Sequence, residues 1–114
     1  MTKNQGHVQS GEVINLETLK KDMKLDSSYA LVKTPDMEVI RMALKKGKVV
    51  TENSVSGEIS IQCLTGSIEF KVGDQVRSLT HGDWIYLQKK QVYSYTVNED
   101  TILLVTILFT DDEE

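Results

Sequence analysis

The chain has 114 residues, the size of one ordinary domain, which excludes a multidomain machine yet suffices to bury a core without disulfide or metal staples. Apolar residues are 39% and charged residues 26%, close to the globular average, so neither a disordered nor a fibrous chain fits. Thirteen Lys and Arg against seventeen Asp and Glu leave a formal net charge of −4, without the basic footprint of a nucleic-acid binder.

Residues 1–10 read as a loose polar arm. One domain is expected over 11–110, with Asp111-Asp112-Glu113-Glu114 as an acidic tail. Val13, Ile14 and Leu16 suggest a short extended piece. Asn15 is placed to cap one short helix through Leu16, Leu19 and Met23, ended by Ser27 and Ser28. Strands and turns follow. Tyr29–Lys33 is extended and stops at the Thr34-Pro35-Asp36 turn, and Met37–Leu44 is the next strand, ending at Lys45-Lys46-Gly47-Lys48. Glu58–Leu64 alternates, with Ile59, Ile61 and Cys63 on one face and Ser60 and Gln62 on the other. Thr65-Gly66 turns the chain into Ser67–Val72, and Gly73-Asp74 makes a tight hairpin into Gln75–Leu79. Trp84–Leu87, Val92–Val97 and Ile102–Phe109 complete the set. Short strands with regular turns indicate an all-β sandwich or barrel.

Several chemistries lack their residues. Cys63 is the single cysteine, so no intrachain disulfide forms, and a reduced, cytoplasmic setting fits. The N-terminus has no apolar signal-peptide core. Ile102–Phe109 is far shorter than the roughly 20 residues that cross a bilayer, so no membrane association is expected. His7 and His81 are the only histidines, a poor stock for a transition-metal site. No Gly-rich phosphate loop, paired-Cys motif or Gly-x-Ser-x-Gly elbow is present.

Two blocks carry a resemblance. The first runs from Lys46 to Gly66, anchored by Gly47 and by Leu64-Thr65-Gly66. The second is Leu79-Thr80-His81-Gly82-Asp83-Trp84-Ile85-Tyr86-Leu87, followed by Val92-Tyr93-Ser94. Glycines suit tight barrel corners, where a side chain would block the backbone angles. From about Ile40 to Phe109 the chain resembles a small single-domain cupin of the conserved-barrel type. The resemblance implies a small antiparallel β-barrel or jelly roll, a double-stranded β-helix, commonly assembled as a homodimer. Metal-binding cupins carry two histidines and a glutamate in the first block and a histidine in the second. Those places fall here on Asn53, Val55, Ile59 and Tyr93, none of which is the family's ligand. Val55 and Ile59 have no donor atom, and Asn53 and Tyr93 are weak ones. Glu58 stands one residue from the glutamate place, which on a strand is the opposite face. No metal and no other cofactor is expected.

The same register points Val55, Ile59, Ile61, Tyr93 and Tyr95 into the barrel, with Asn53 at its rim. Two readings of that interior stand side by side: an apolar small-molecule pocket with a few polar groups, or a barrel filled with ordinary core. A cupin-type enzyme (isomerase, lyase or dioxygenase-like) is the alternative to a binding protein, and a dimeric interaction module is a third. No catalytic residue is assigned. His81 reads as a surface residue and Cys63 as a buried structural thiol. Arg41 reads as an ion-pair partner or a carboxylate clamp, and Trp84 as flanking the cavity or covering the barrel's end. Ile102–Phe109 is apolar on both faces, so a second layer is expected to cover its outside: the N-terminal segment, a partner subunit, or both.

Overall fold

Period-two alternation gives a strand one buried face, and nine strands form among the described residues of this chain. The computed structural model describes residues 7–21 and 24–109. The strands are β1 (Ser27–Lys33), β2 (Met37–Leu44), β3 (Val49–Asn53), β4 (Glu58–Thr65), β5 (Ser67–Val72), β6 (Gln75–Thr80), β7 (Trp84–Leu87), β8 (Tyr93–Val97) and β9 (Thr101–Leu108). They form a five-stranded sheet in the order β1-β2-β9-β4-β7 and a four-stranded sheet in the order β3-β8-β5-β6. All pairings are antiparallel. This is the all-β barrel expected from the turns and alternation.

The inner faces of the two sheets share one core. Ile59, Ile61 and Cys63 of β4 and Leu103, Val105 and Ile107 of β9 face Ile68 and Phe70 of β5 and Tyr93, Tyr95 and Val97 of β8. The corner between β4 and β5 depends on Gly66. Its φ of +103° lies where side chains are strained, and an added Cβ would sit 2.3 Å from Thr101 Oγ1. Thr101 is fully buried, and its Oγ1 accepts from Ser67 N at 3.0 Å.

β9 also buries its outer face at one end. Ile102 and Leu104 pack outside the sheet with Leu31, Ala43, Leu64, Val8, Ile14, Leu16 and Leu19. The N-terminal segment therefore supplies the second layer that an apolar outer face requires. Val8 N–H donates to Leu31 O at 2.7 Å, tying that segment to β1. Of the arm expected over residues 1–10, residues 1–6 lie outside the described residues, as does the acidic tail at 111–114.

The expected helix is shorter than its spacing predicts. It is a single 3-10 turn, Leu16–Lys20, capped as expected by Asn15, whose Oδ1 accepts from Glu17 N at 2.7 Å. Met23 lies outside the described residues, and Ser27 and Ser28 belong to β1. Packing of Leu19 and Leu16 holds so short a turn, which falls well below the length that is stable by propensity.

Among the described residues Arg41 pairs with no carboxylate, and its side chain turns away from the barrel interior, so it is not a clamp for a ligand there. It points outward from β2, only 3% exposed, and donates from Nε to Leu19 O (2.7 Å) and from Nη2 to Lys21 O (3.2 Å). Those carbonyls end the 3-10 turn, where a cation meets unsatisfied acceptors. Its guanidinium lies 5.4 Å from the Tyr29 ring centroid, directly across the β1–β2 pair. Arg41→Ala is expected to cost about 2–4 kcal/mol, since it removes two charge-assisted hydrogen bonds and a buried stem. The Val8 amide should lose hydrogen-exchange protection before the β4 and β9 amides do. Equal loss at all three would mean that Arg41 does not latch the N-terminal segment separately.

Candidate functional site

β3 and β8 set the site through one irregularity. Val50 pairs with Tyr95 and Asn53 pairs with Tyr93, so β3 advances three residues while β8 advances two. The extra residue is absorbed where Glu52 takes φ +52°. Without that bulge Asn53 would fall on the outer face, because strand faces alternate. With it, Asn53 stands inside opposite Tyr93 and donates from Nδ2 to Tyr93 Oη at 3.1 Å.

A cavity of about 140 Å³ lies between the sheets. Asn53, Val55, Ile59, Ile61, Tyr93 and Tyr95 all line it, so the structure brings the six residues of the expected interior together. Asn53 and Val55 are the half-buried ones, at the rim. Ile40, Met42, Phe70, Leu103, Val105 and Ile107 complete the wall and were not singled out from the sequence. Their signal was present in the alternation of β2, β5 and β9. The interior is neither filled nor wide: apolar cavities of about 150 Å³ in other proteins admit benzene.

Only Asn53, Tyr93 and Tyr95 bring polar side chains to this wall. The rings of Tyr93 and Tyr95 tilt against Phe70, at centroid separations of 6.0 and 5.5 Å. Burial pushes both phenols above their ordinary pKa. The hydrogen bond from Asn53 partly offsets this at Tyr93, whereas repulsion from Tyr93 adds to it at Tyr95. Both are therefore neutral hydroxyls at physiological pH.

The donor set does not fit the metal that many cupins hold. Val55 and Ile59 offer only hydrocarbon to the cavity, and the Asn53 amide is engaged by Tyr93. Glu58 faces outward into a surface groove beside Trp84 and Tyr86. Among the described residues no group of three or more His, Cys, Asp or Glu is placed to hold a metal ion.

The other residues singled out lie elsewhere. His81 is exposed, with Nδ1 3.0 Å from Leu64 O and 3.5 Å from Lys20 Nζ. Cys63 is fully buried, and its Sγ faces Thr65 O and Gly66 O at 3.6 and 3.8 Å. Burial, then the Asp83 charge, pushes its thiol up to about 11, the opposite of an activated nucleophile. Trp84 neither flanks the cavity nor caps the barrel. It is 61% exposed on the outer face of β7.

With this geometry in place, comparison with solved structures defines the class of fold: the chain has the cupin fold. It is similar to a conserved protein of unknown function from Streptococcus pyogenes, at TM-score 0.77 and 16% identity over 98% of both chains. A cupin superfamily protein from Desulfitobacterium hafniense is similar at TM-score 0.76 and 15% identity, over 96% of this chain and 100% of that one. An RmlC-like cupin from Desulfovibrio desulfuricans is similar at TM-score 0.64 and 20% identity, over 95% and 96%. At these identities the likeness is one of fold. No protein-family model matches the sequence, and no curated protein matches it.

The buried acids predict an alkaline weakness. A raised folded pKa means that the folded state keeps its proton to higher pH than the unfolded chain does, so stability falls as pH rises past the unfolded value. Cys63 begins to contribute above about 9, and the two phenols above about 10. Denaturant midpoints should be flat below this range and fall within it, and Tyr93→Phe with Tyr95→Phe should reduce the fall. An equal fall in the double variant would show that these hydroxyls titrate alike folded and unfolded.

Proposed function

We propose that this chain is a metal-free cupin that binds a small organic molecule in its barrel. One observation carries the reading: a partly open apolar cavity of about 140 Å³ where a filled core would have side chains, with two buried tyrosines on its wall. An apolar wall with a few placed polar groups is the usual make-up of a ligand site. Catalysis has less support, because no acid–base pair faces the cavity. Tyr93 and Tyr95 are held neutral, and His81 and Glu58 lie outside it. A cytoplasmic location suits a chain whose one cysteine is a free, buried thiol. Among the described residues no helix is long and apolar enough to cross a membrane.

The expected outcome is a raised thermal midpoint with some member of a small-metabolite panel, unchanged by chelator, because a ligand that binds only the folded state stabilises it. Elemental mass spectrometry on tag-free protein should find only substoichiometric metal. A stoichiometric metal, or a panel that shifts nothing, would sink the reading.

We also propose a homodimer. The N-terminal segment covers only one end of the outer β9–β4–β7 face. At the other end Trp84 (61% exposed), Tyr86 (49%) and Leu108 (41%) flank a common groove, and a two-fold axis lets one such patch bury itself. Sedimentation velocity should give a dimer that Trp84→Asp with Leu108→Asp converts to a folded monomer. A wild-type monomer across the concentration series would rule this out.

A further inference from the structure

The cavity wall carries no charge: none of its residues is Asp, Glu, Lys, Arg or His. Arg41, on a strand that contributes Ile40 and Met42 to that wall, turns the other way and spends its guanidinium on Leu19 O and Lys21 O. A carboxylate or phosphate entering the cavity would lose its hydration and meet no cation, and an ammonium would meet no anion.

The hydroxyls, in contrast, are directional. Tyr93 Oη accepts from Asn53 Nδ2, which leaves its own O–H as a donor. The Tyr95 hydroxyl has no hydrogen-bond partner among the described residues, although Tyr95 is only 8% exposed and lines the cavity. A buried donor without an acceptor is destabilising, and an acceptor on a ligand would relieve it. Asn53 itself stands at the half-buried rim.

Resting on the small-molecule reading above, we infer that the cavity takes a small neutral molecule, roughly the size of one six-membered ring, that presents a carbonyl- or ether-type oxygen to Tyr95 and Tyr93 and hydrocarbon to Ile61, Leu103 and Val105. The hydroxyls choose the oxygen, the aliphatic strands of β4 and β9 choose the body, and the uncharged wall rejects organic acids and amines.

The test uses three probes of comparable size, cyclohexanone, toluene and benzoate, titrated at neutral pH into the full chain and followed by backbone amide shifts. Cyclohexanone should bind saturably, shifting Tyr93, Tyr95 and Val105, and benzoate should not. Tyr95→Phe should lower the cyclohexanone-to-toluene affinity ratio about 3- to 10-fold, the worth of one hydrogen bond, while toluene binds as before. Removing an unpaired hydroxyl should leave the fold intact, which the thermal midpoint checks, and Tyr93→Phe gives the same comparison should that variant unfold. Benzoate binding as tightly as cyclohexanone would overturn the neutral-ligand inference, and a ratio unchanged in both variants would overturn the role of the hydroxyls. Either result would leave the pocket standing. Failure of all three probes to bind would overturn the small-molecule reading itself.

Discussion

β9 has almost no face to give to water, and the rest of the architecture answers that constraint. Its inner residues Leu103, Val105 and Ile107 enter the barrel, and its outer residues Ile102 and Leu104 need a cover of their own. β9 sits at the centre of the five-stranded sheet, paired along its length with β2 and β4, so neither edge is free either. A second small core therefore forms outside the sheet, from residues too few to hold together alone. Arg41 closes it. Because β2 pairs with β9 in continuous register, the carbonyls that Arg41 holds fix the N-terminal turn over Ile102 and Leu104. A buried cation served by carbonyls is tolerable here because the end of a helical turn leaves those carbonyls otherwise unsatisfied.

Inside the barrel the side chains divide by wall. The aromatic residues belong to the four-stranded sheet, where Tyr93 and Tyr95 rest against Phe70. The opposite wall, from β2, β4 and β9, is aliphatic. Ring-on-ring packing against Phe70 orients the tyrosines, and the cavity lies between them and the aliphatic wall. The interior between these walls stays open, and it presents a pair of neutral hydroxyls on a hydrocarbon background.

Much of this was legible because strand faces obey parity. Once Ile59 and Ile61 point inward, parity places Cys63 with them and sends Glu58 outward, and the pairing confirms both. Tyr93 and Tyr95 follow from the same rule on β8. The turns were legible where their chemistry is local, as at Gly66 and at Thr34-Pro35-Asp36, where Thr34 Oγ1 accepts from the Asp36 and Met37 amides. What escaped was long-range or violated parity. The β3 bulge turns on Glu52 at positive φ, a conformation that a Glu does not advertise. Arg41 looked like a partner for acids, yet its acceptors are backbone carbonyls some twenty residues earlier, which no side-chain pattern encodes. The helix was overestimated because the spacing of Leu16, Leu19 and Met23 runs on past Lys20, whereas Lys21 is already extended.

The cavity has an energetic consequence. By the penalty seen for enclosed voids in protein cores, a partly open cavity of about 140 Å³ forgoes at most about 3 kcal/mol of packing, a sizeable share of what a domain this small retains. A longer side chain at Val55 or Ile61, both of which line the cavity, would recover part of it. The Tyr95 hydroxyl adds a second avoidable cost, since phenylalanine would fill the same place without a buried unpaired donor. The two costs fall on the same cavity. A single occupant with an apolar body and one oxygen would offset both together, whereas a filled core would need each removed by a separate substitution.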